Sequence, residues 1–183
     1  MAQPLKATLT YYGVSPWEIE VLYGLLNSHF VVVQEEVEPF DQGFVSYMEL
    51  DIPLDFSDAF FKWFDFRRWE RVKDILKEMK RRRGTGNALK AVINFSGRIK
   101  ISFVVNPLER RWFDNAVEKI DFVLELLPHH MERLPPRTAS ATYRFDTGSA
   151  RWRLGGAVDA SGRQFALRRD CWEPVGGEPS PPP

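Results

Sequence analysis

Apolar and polar positions alternate over residues 5–12, with Leu5, Ala7, Leu9 and Tyr11 on one side of an extended chain and Lys6, Thr8 and Thr10 on the other. That period of two predicts a half-buried strand, closed by Gly13. Ser15-Pro16-Trp17-Glu18 then carries the grammar of a helix start: a capping hydroxyl, a proline at the first helical position and a glutamate that reaches back to the cap amide. This helix is expected to run to about Asn27 with Ile19, Leu22, Leu25 and Leu26 inward. FVVVQEEVEPF and FVSYMELDIPL follow, split by Asp41-Gln42-Gly43, and read as an antiparallel hairpin.

The longest helix is expected over 56–82, where Ala59, Trp63, Phe66, Trp69, Val72, Leu76 and Met79 step by three or four residues as one apolar stripe. Residues 88–95 and 98–105 form a second hairpin across Ser96-Gly97. A third helix, opened by Asn106-Pro107-Leu108-Glu109, keeps Trp112, Phe113, Ala116, Val117, Ile120, Val123 and Leu127 in phase until Pro128 stops it. After the proline-rich connector 128–137, short strands are expected near 139–145, 150–154 and 163–170.

The predicted fold class is therefore α+β: an antiparallel sheet with helices on one face. Its first six elements follow the βαββαβ order of a ferredoxin-like sandwich, and a C-terminal three-stranded β unit follows. The expected division is a core over 1–127, the connector 128–137, a β-meander over 138–173 that extends or packs on the core, and a disordered tail over 174–183.

Composition narrows the class. The chain has 183 residues, 44% hydrophobic, which is too apolar for disorder over most of its length. No stretch approaches the ~18–20 apolar residues of a membrane span, so no membrane partner is expected. The opening MAQPLKATLTYYG lacks the pattern of a signal peptide, and the single Cys171 allows no internal disulfide, so the simplest compartment is the cytosol. Net charge is zero but unevenly spread: residues 1–60 carry a formal −9 and the remaining 123 carry +9. Such asymmetry points to partners.

No catalytic constellation emerges. There is no G-x-S-x-G elbow, and Cys171 has no histidine near it in sequence. His129 and His130 are adjacent and His29 is isolated, so neither zinc-type spacing nor any other metal motif is present, and no cofactor is expected. Glu35, Glu36, Glu38 and Asp41 could in principle hold a magnesium-like cation, but on a strand Glu35 falls opposite Glu36 and Glu38, which favours a solvated acidic edge instead. The Gly84-Thr85-Gly86 turn follows a helix rather than preceding one, where a phosphate loop would stand.

Three functions follow in order of preference. The first is a non-enzymatic protein-binding module of inhibitor, immunity or adaptor type. It would use the acidic Glu35, Glu36 and Glu38 and an aromatic patch at Phe60, Phe61 and Phe64, since five of the seven residues 60–66 are aromatic. The second is an RNA- or DNA-binding protein. It would use Arg67, Arg71, Lys80, Arg81, Arg82 and Arg83 along the long helix, with Arg151, Trp152 and Arg153 in the C-terminal strands. The third is a metal-dependent enzyme built on the acidic run.

Overall fold

In the computed structural model, which describes residues 3–176, the apolar face of every early strand meets a layer of helices. The strands are β1 (Lys6–Tyr12), β2 (Val31–Glu36), β3 (Ser46–Ile52), β4 (Leu89–Phe95), β5 (Lys100–Val105), β6 (Thr138–Asp146), β7 (Arg151–Asp159), β8 (Gln164–Arg168) and β9 (Cys171–Pro174). Among the described residues they form one nine-stranded sheet in the order β2-β1-β3-β4-β5-β6-β7-β8-β9. The helices are α1 (Pro16–Leu26), α2 (Asp58–Phe64), α3 (Phe66–Arg83), α4 (Arg110–Glu118) and α5 (Leu127–Glu132), with a short 3-10 turn at Asp121–Glu125.

The fold is thus mixed α+β, but three expectations are corrected. The sheet is mixed rather than antiparallel: β1 with β2, β3 with β4, and β5 with β6 are parallel pairs. Parallel neighbours need a crossover, and each pair has one, made by α1, by α2 and α3, and by α4 through α5. The start is not ferredoxin-like. That arrangement would insert a strand between β1 and β2, whereas here they pair directly, Lys6 opposite Val31 and Thr10 opposite Glu35. For the same reason β2 and β3 are not a hairpin, because β1 lies between them.

Alternation separates the two faces of the sheet. Ala7, Leu9, Met48, Leu50, Ile52, Leu89, Ala91, Ile93, Phe95 and Phe103 are buried toward the helices, where α3 packs between α1 and α4. Thr8, Thr10, Glu49, Asp51, Val92 and Ser102 hold the other, partly exposed face. Each fully buried Leu, Ile or Phe contributes about 1.5–3 kcal/mol relative to exposure.

The long helix is broken. Asp65 adopts φ 74°, ψ 121°, ends α2 and starts α3, and its carboxylate accepts the Arg67 amide at 3.0 Å. The break resets the helical phase, so the stripe read across 56–82 does not continue through it. The third helix is also divided, and Pro128 sits in the first turn of α5 rather than ending a helix. The C-terminal strands join the main sheet, β6 pairing in parallel with β5, and they number four rather than three. Of the tail expected over 174–183, Pro174 closes β9 and residues 177–183 lie outside the described residues.

Candidate functional site

β7 is nine residues long and pairs with β6 along almost its whole length, but its pairing with β8 ends at Gly156 opposite Ala166. Beyond that point the β8–β9 ribbon diverges, leaving the edge of residues 151–155 that faces away from β6 without a strand partner among the described residues. Such an edge presents unpaired N–H and C=O groups in a row. Gly155 sits at the register shift between Thr142 and Tyr143, so the strand bulges where the ribbon leaves it.

The gap is a cleft of about 480 Å³. Its apolar walls are Trp152 and Leu154 of β7 with Leu167 and Trp172 of the ribbon, and His130 of α5 with Arg133, the residue that caps it, completes the lining. Both indoles are fixed by hydrogen bonds: Trp152 Nε1 donates to the Ala116 carbonyl at 2.9 Å and Trp172 Nε1 to the Arg133 carbonyl at 2.7 Å. His130 Nδ1 lies 2.8 Å from the buried Tyr143 hydroxyl. Burial, together with the neighbouring His129 and Arg133, holds the His130 pKa below the usual histidine range, so the ring is neutral near pH 7.

The ribbon turns through Arg169 and Asp170, at φ 47° and 61°. A two-residue hairpin of this kind normally carries Asn-Gly, because both central residues are left-handed. Two non-glycine residues there cost about 1–2 kcal/mol each, and they place Arg169 and Asp170 at the mouth of the cleft. Arg133, Arg151, Arg153 and Arg169 all border it. Arg153 Nε pairs with Asp146 at 2.9 Å and Arg133 lies 3.9 Å from Asp170. Four guanidiniums against two carboxylates leave the rim cationic.

The other predicted residues are dispersed. Phe60, Phe61 and Phe64 are 3%, 0% and 0% exposed and belong to the core, so the expected aromatic surface patch is corrected. The break at Asp65 turns them inward and leaves Trp63 and Phe66, assigned to the core stripe, each 44% exposed. Glu35 and Glu36 are exposed on β2, the sheet edge, with Glu38 exposed just beyond it. Asp41 is drawn away to Lys90 at 3.0 Å. Among the described residues no group of three or more His, Cys, Asp or Glu is placed to hold a metal ion.

The basic helix end is largely consumed by internal contacts. Lys80 is fully buried and donates to the Gly86 carbonyl at 3.0 Å. Arg81 and Arg82 share Glu78, and Arg82 also lies over the Trp17 ring at 4.3 Å. Arg83 reaches across to Glu18, both oxygens at 2.7 Å. Arg67 and Arg71 remain exposed. The charge asymmetry is therefore partly closed within the molecule, since Glu18, Asp41, Asp51 and Asp55 each pair with a cation from beyond residue 60.

Arg151, Trp152 and Arg153 do come together in the cleft, joined by Arg169 and Trp172, which belong to the same alternation of aromatic and basic residues in the C-terminal strands, and by Arg133, which lies outside it. The turn that brings Arg169 and Trp172 in, within Leu167-Arg168-Arg169-Asp170-Cys171-Trp172, has no glycine or proline to mark it and reads as the end of one strand. On the open face of the sheet, Glu49 accepts hydrogen bonds from Tyr47 and Asn94 and Asp51 from Ser96, so these carboxylates are already engaged. No helix among the described residues is long and apolar enough to cross a membrane. The chain matches no protein-family model, no curated protein and no solved structure, so the functional reading rests on the cleft itself.

Proposed function

We propose that this chain is a protein-binding module that captures an extended acidic segment of a partner protein in the cleft beside β7. The observation that carries this reading is the unpaired edge of residues 151–155 with Arg133, Arg151, Arg153 and Arg169 around it. An added strand satisfies the open backbone groups, which gives affinity independent of sequence. Its side chains alternate, so one set meets Trp152 and Leu154 while the other lies on the side of Arg151 and Arg153. Carboxylates in that second set would form charge-assisted hydrogen bonds with guanidinium. Because the walls are held by the indole hydrogen bonds, little ordering entropy is lost on binding.

A nucleic acid would also meet the arginines, but two features favour the peptide. Trp152 is 6% exposed with its N–H engaged, enough surface to border a side chain but too little for a base to stack on. The helix end that would extend a phosphate track is committed to Glu78 and Glu18.

The test is anisotropy titration of a labelled eight-residue peptide of alternating valine and glutamate, beside a valine–lysine peptide and a thymidine oligonucleotide. The acidic peptide is expected to bind, more weakly as salt rises. Arg151→Glu/Arg153→Glu should weaken it at least tenfold, while the melting temperature stays near that of the parent because both side chains are exposed. Preferential binding of the oligonucleotide, or no binding of the acidic peptide, would overturn the reading.

A further inference from the structure

We infer that the captured segment carries a bulky apolar side chain at one end, seated against Phe122, Leu126 and Trp152. This rests on the strand-capture reading and adds a specificity determinant to it. A second cavity of about 370 Å³ lies between the 3-10 turn and the start of β7. It shares Leu126, Arg151 and Trp152 with the main cleft, so the two adjoin along the start of β7. Its character differs from that of the main cleft. Phe122 and Leu126 are 62% and 52% exposed, although each is a large apolar side chain. Lys119, the nearest cation on that side, is occupied, donating from Nζ to the Ala150 carbonyl at 2.8 Å. Glu125 adds a carboxylate to the same lining, beside Arg151.

The groove is therefore richer in exposed apolar surface at the Phe122–Leu126 end and more cationic toward Arg133, Arg153 and Arg169. A strand paired to β7 advances about 3.3 Å per residue with side chains alternating in direction. Trp152 and Leu154 point to the helix side, as their pairing with Phe145 and Tyr143 requires. Ligand residues on that side would meet the Phe122–Leu126 cavity first and the Leu154–Leu167 wall two residues later. The acidic residues fall between them. The chemistry that fits is an alternating apolar–acidic segment whose terminal apolar residue is large.

The experiment compares three labelled peptides: alternating valine and glutamate, the same with phenylalanine for the first valine, and the same with phenylalanine for the last. One phenylalanine peptide is expected to bind at least tenfold tighter than the parent, the end that gains reporting strand direction. Phe122→Ser should abolish that gain and leave the affinity of the valine–glutamate peptide within about twofold, because Phe122 borders the second cavity and not the main cleft. Phe122 is exposed, so folding should be preserved, with circular dichroism as the check. Equal affinity for all three peptides, or a gain that survives in the variant, overturns the anchor while leaving strand capture standing. Failure of every peptide to bind overturns both.

Discussion

Phe61→Ala is expected to destabilise the fold by about 3–5 kcal/mol, the range for removing a core aromatic ring. The Phe61 ring is completely buried and packs edge-on against Phe56, Phe60 and Trp69, with centroids 5.6, 5.0 and 5.3 Å away. The surrounding rings are themselves held in place, Phe56 by Phe95 and Phe103 at 4.9 Å each, which limits collapse into the space. A surface role for the same residue would make the substitution nearly neutral for stability and costly only for partner binding. Urea denaturation followed by tryptophan fluorescence separates the two: a loss below about 1 kcal/mol would contradict the burial described here.

The second large effect concerns Arg83. Arg83→Met should also cost about 3–5 kcal/mol, since it strands Glu18 as a buried, uncompensated charge. Glu18 is 1% exposed, and Arg83 both pairs with it and donates to the carbonyls of Gly13 and Met79. Gly13 stands at φ 64°, with no room for a Cβ against the Val45 carbonyl, which fixes the carbonyl that Arg83 reaches. Burial pushes the Glu18 carboxyl up, but hydrogen bonds from Arg83 and the Ser15 amide outweigh it and hold its pKa below the usual glutamate value. A lowered folded-state pKa means that the stabilisation is complete above the unfolded value near ~4.3 and is lost as pH falls through the folded one. In the methionine variant only the Ser15 bonds remain against burial, so the stabilisation that Glu18 adds at neutral pH is lost: the gap between parent and variant should be widest near pH 7 and narrow as pH falls through the carboxylate range, flattening the acid limb. Denaturation curves between about pH 3 and 7 measure this directly. An unchanged acid limb, or a loss under about 1 kcal/mol, would leave Arg83 free to be the surface phosphate contact its sequence position suggests.

These two residues also show what the sequence makes legible. Ser15-Pro16-Trp17-Glu18 forms the reciprocal cap its spacing requires, and the hairpin across Ser96-Gly97 lies where alternation places it. Local rules decide such features. Strand neighbours are not local. Nothing in FVVVQEEVEPF tells whether the strand pairs with the segment that follows it or with β1, and the protein takes the second course. Asp65 is a subtler case. An aspartate inside an unbroken apolar periodicity gives no sign of a left-handed φ, yet that residue decides which aromatic side chains enter the core. The cationic run 80–83 is visible in the sequence, but its neutralisation by Glu18 and Glu78 depends on one contact across 65 positions and one across a single helical turn. The cleft was half legible. Arg151, Trp152, Arg153, Arg169 and Trp172 share one alternation of aromatic and basic residues, but the turn that folds the last two back has no turn residues, and Arg133 enters beside a helix inside what reads as a connector.

Everything functional depends on whether the outer edge of β7 can accept a strand. Amide hydrogen exchange of residues 151–155, followed residue by residue with and without the alternating valine–glutamate peptide, tests this most directly. In the free protein the amides facing β6 should be protected and those facing the cleft should exchange rapidly. On saturation the cleft-facing amides should slow at least tenfold, with no change along the opposite edge at residues 31–36. Peptide binding that leaves the cleft-facing amides of 151–155 as fast as before, or that slows residues 31–36 instead, would contradict strand addition at β7.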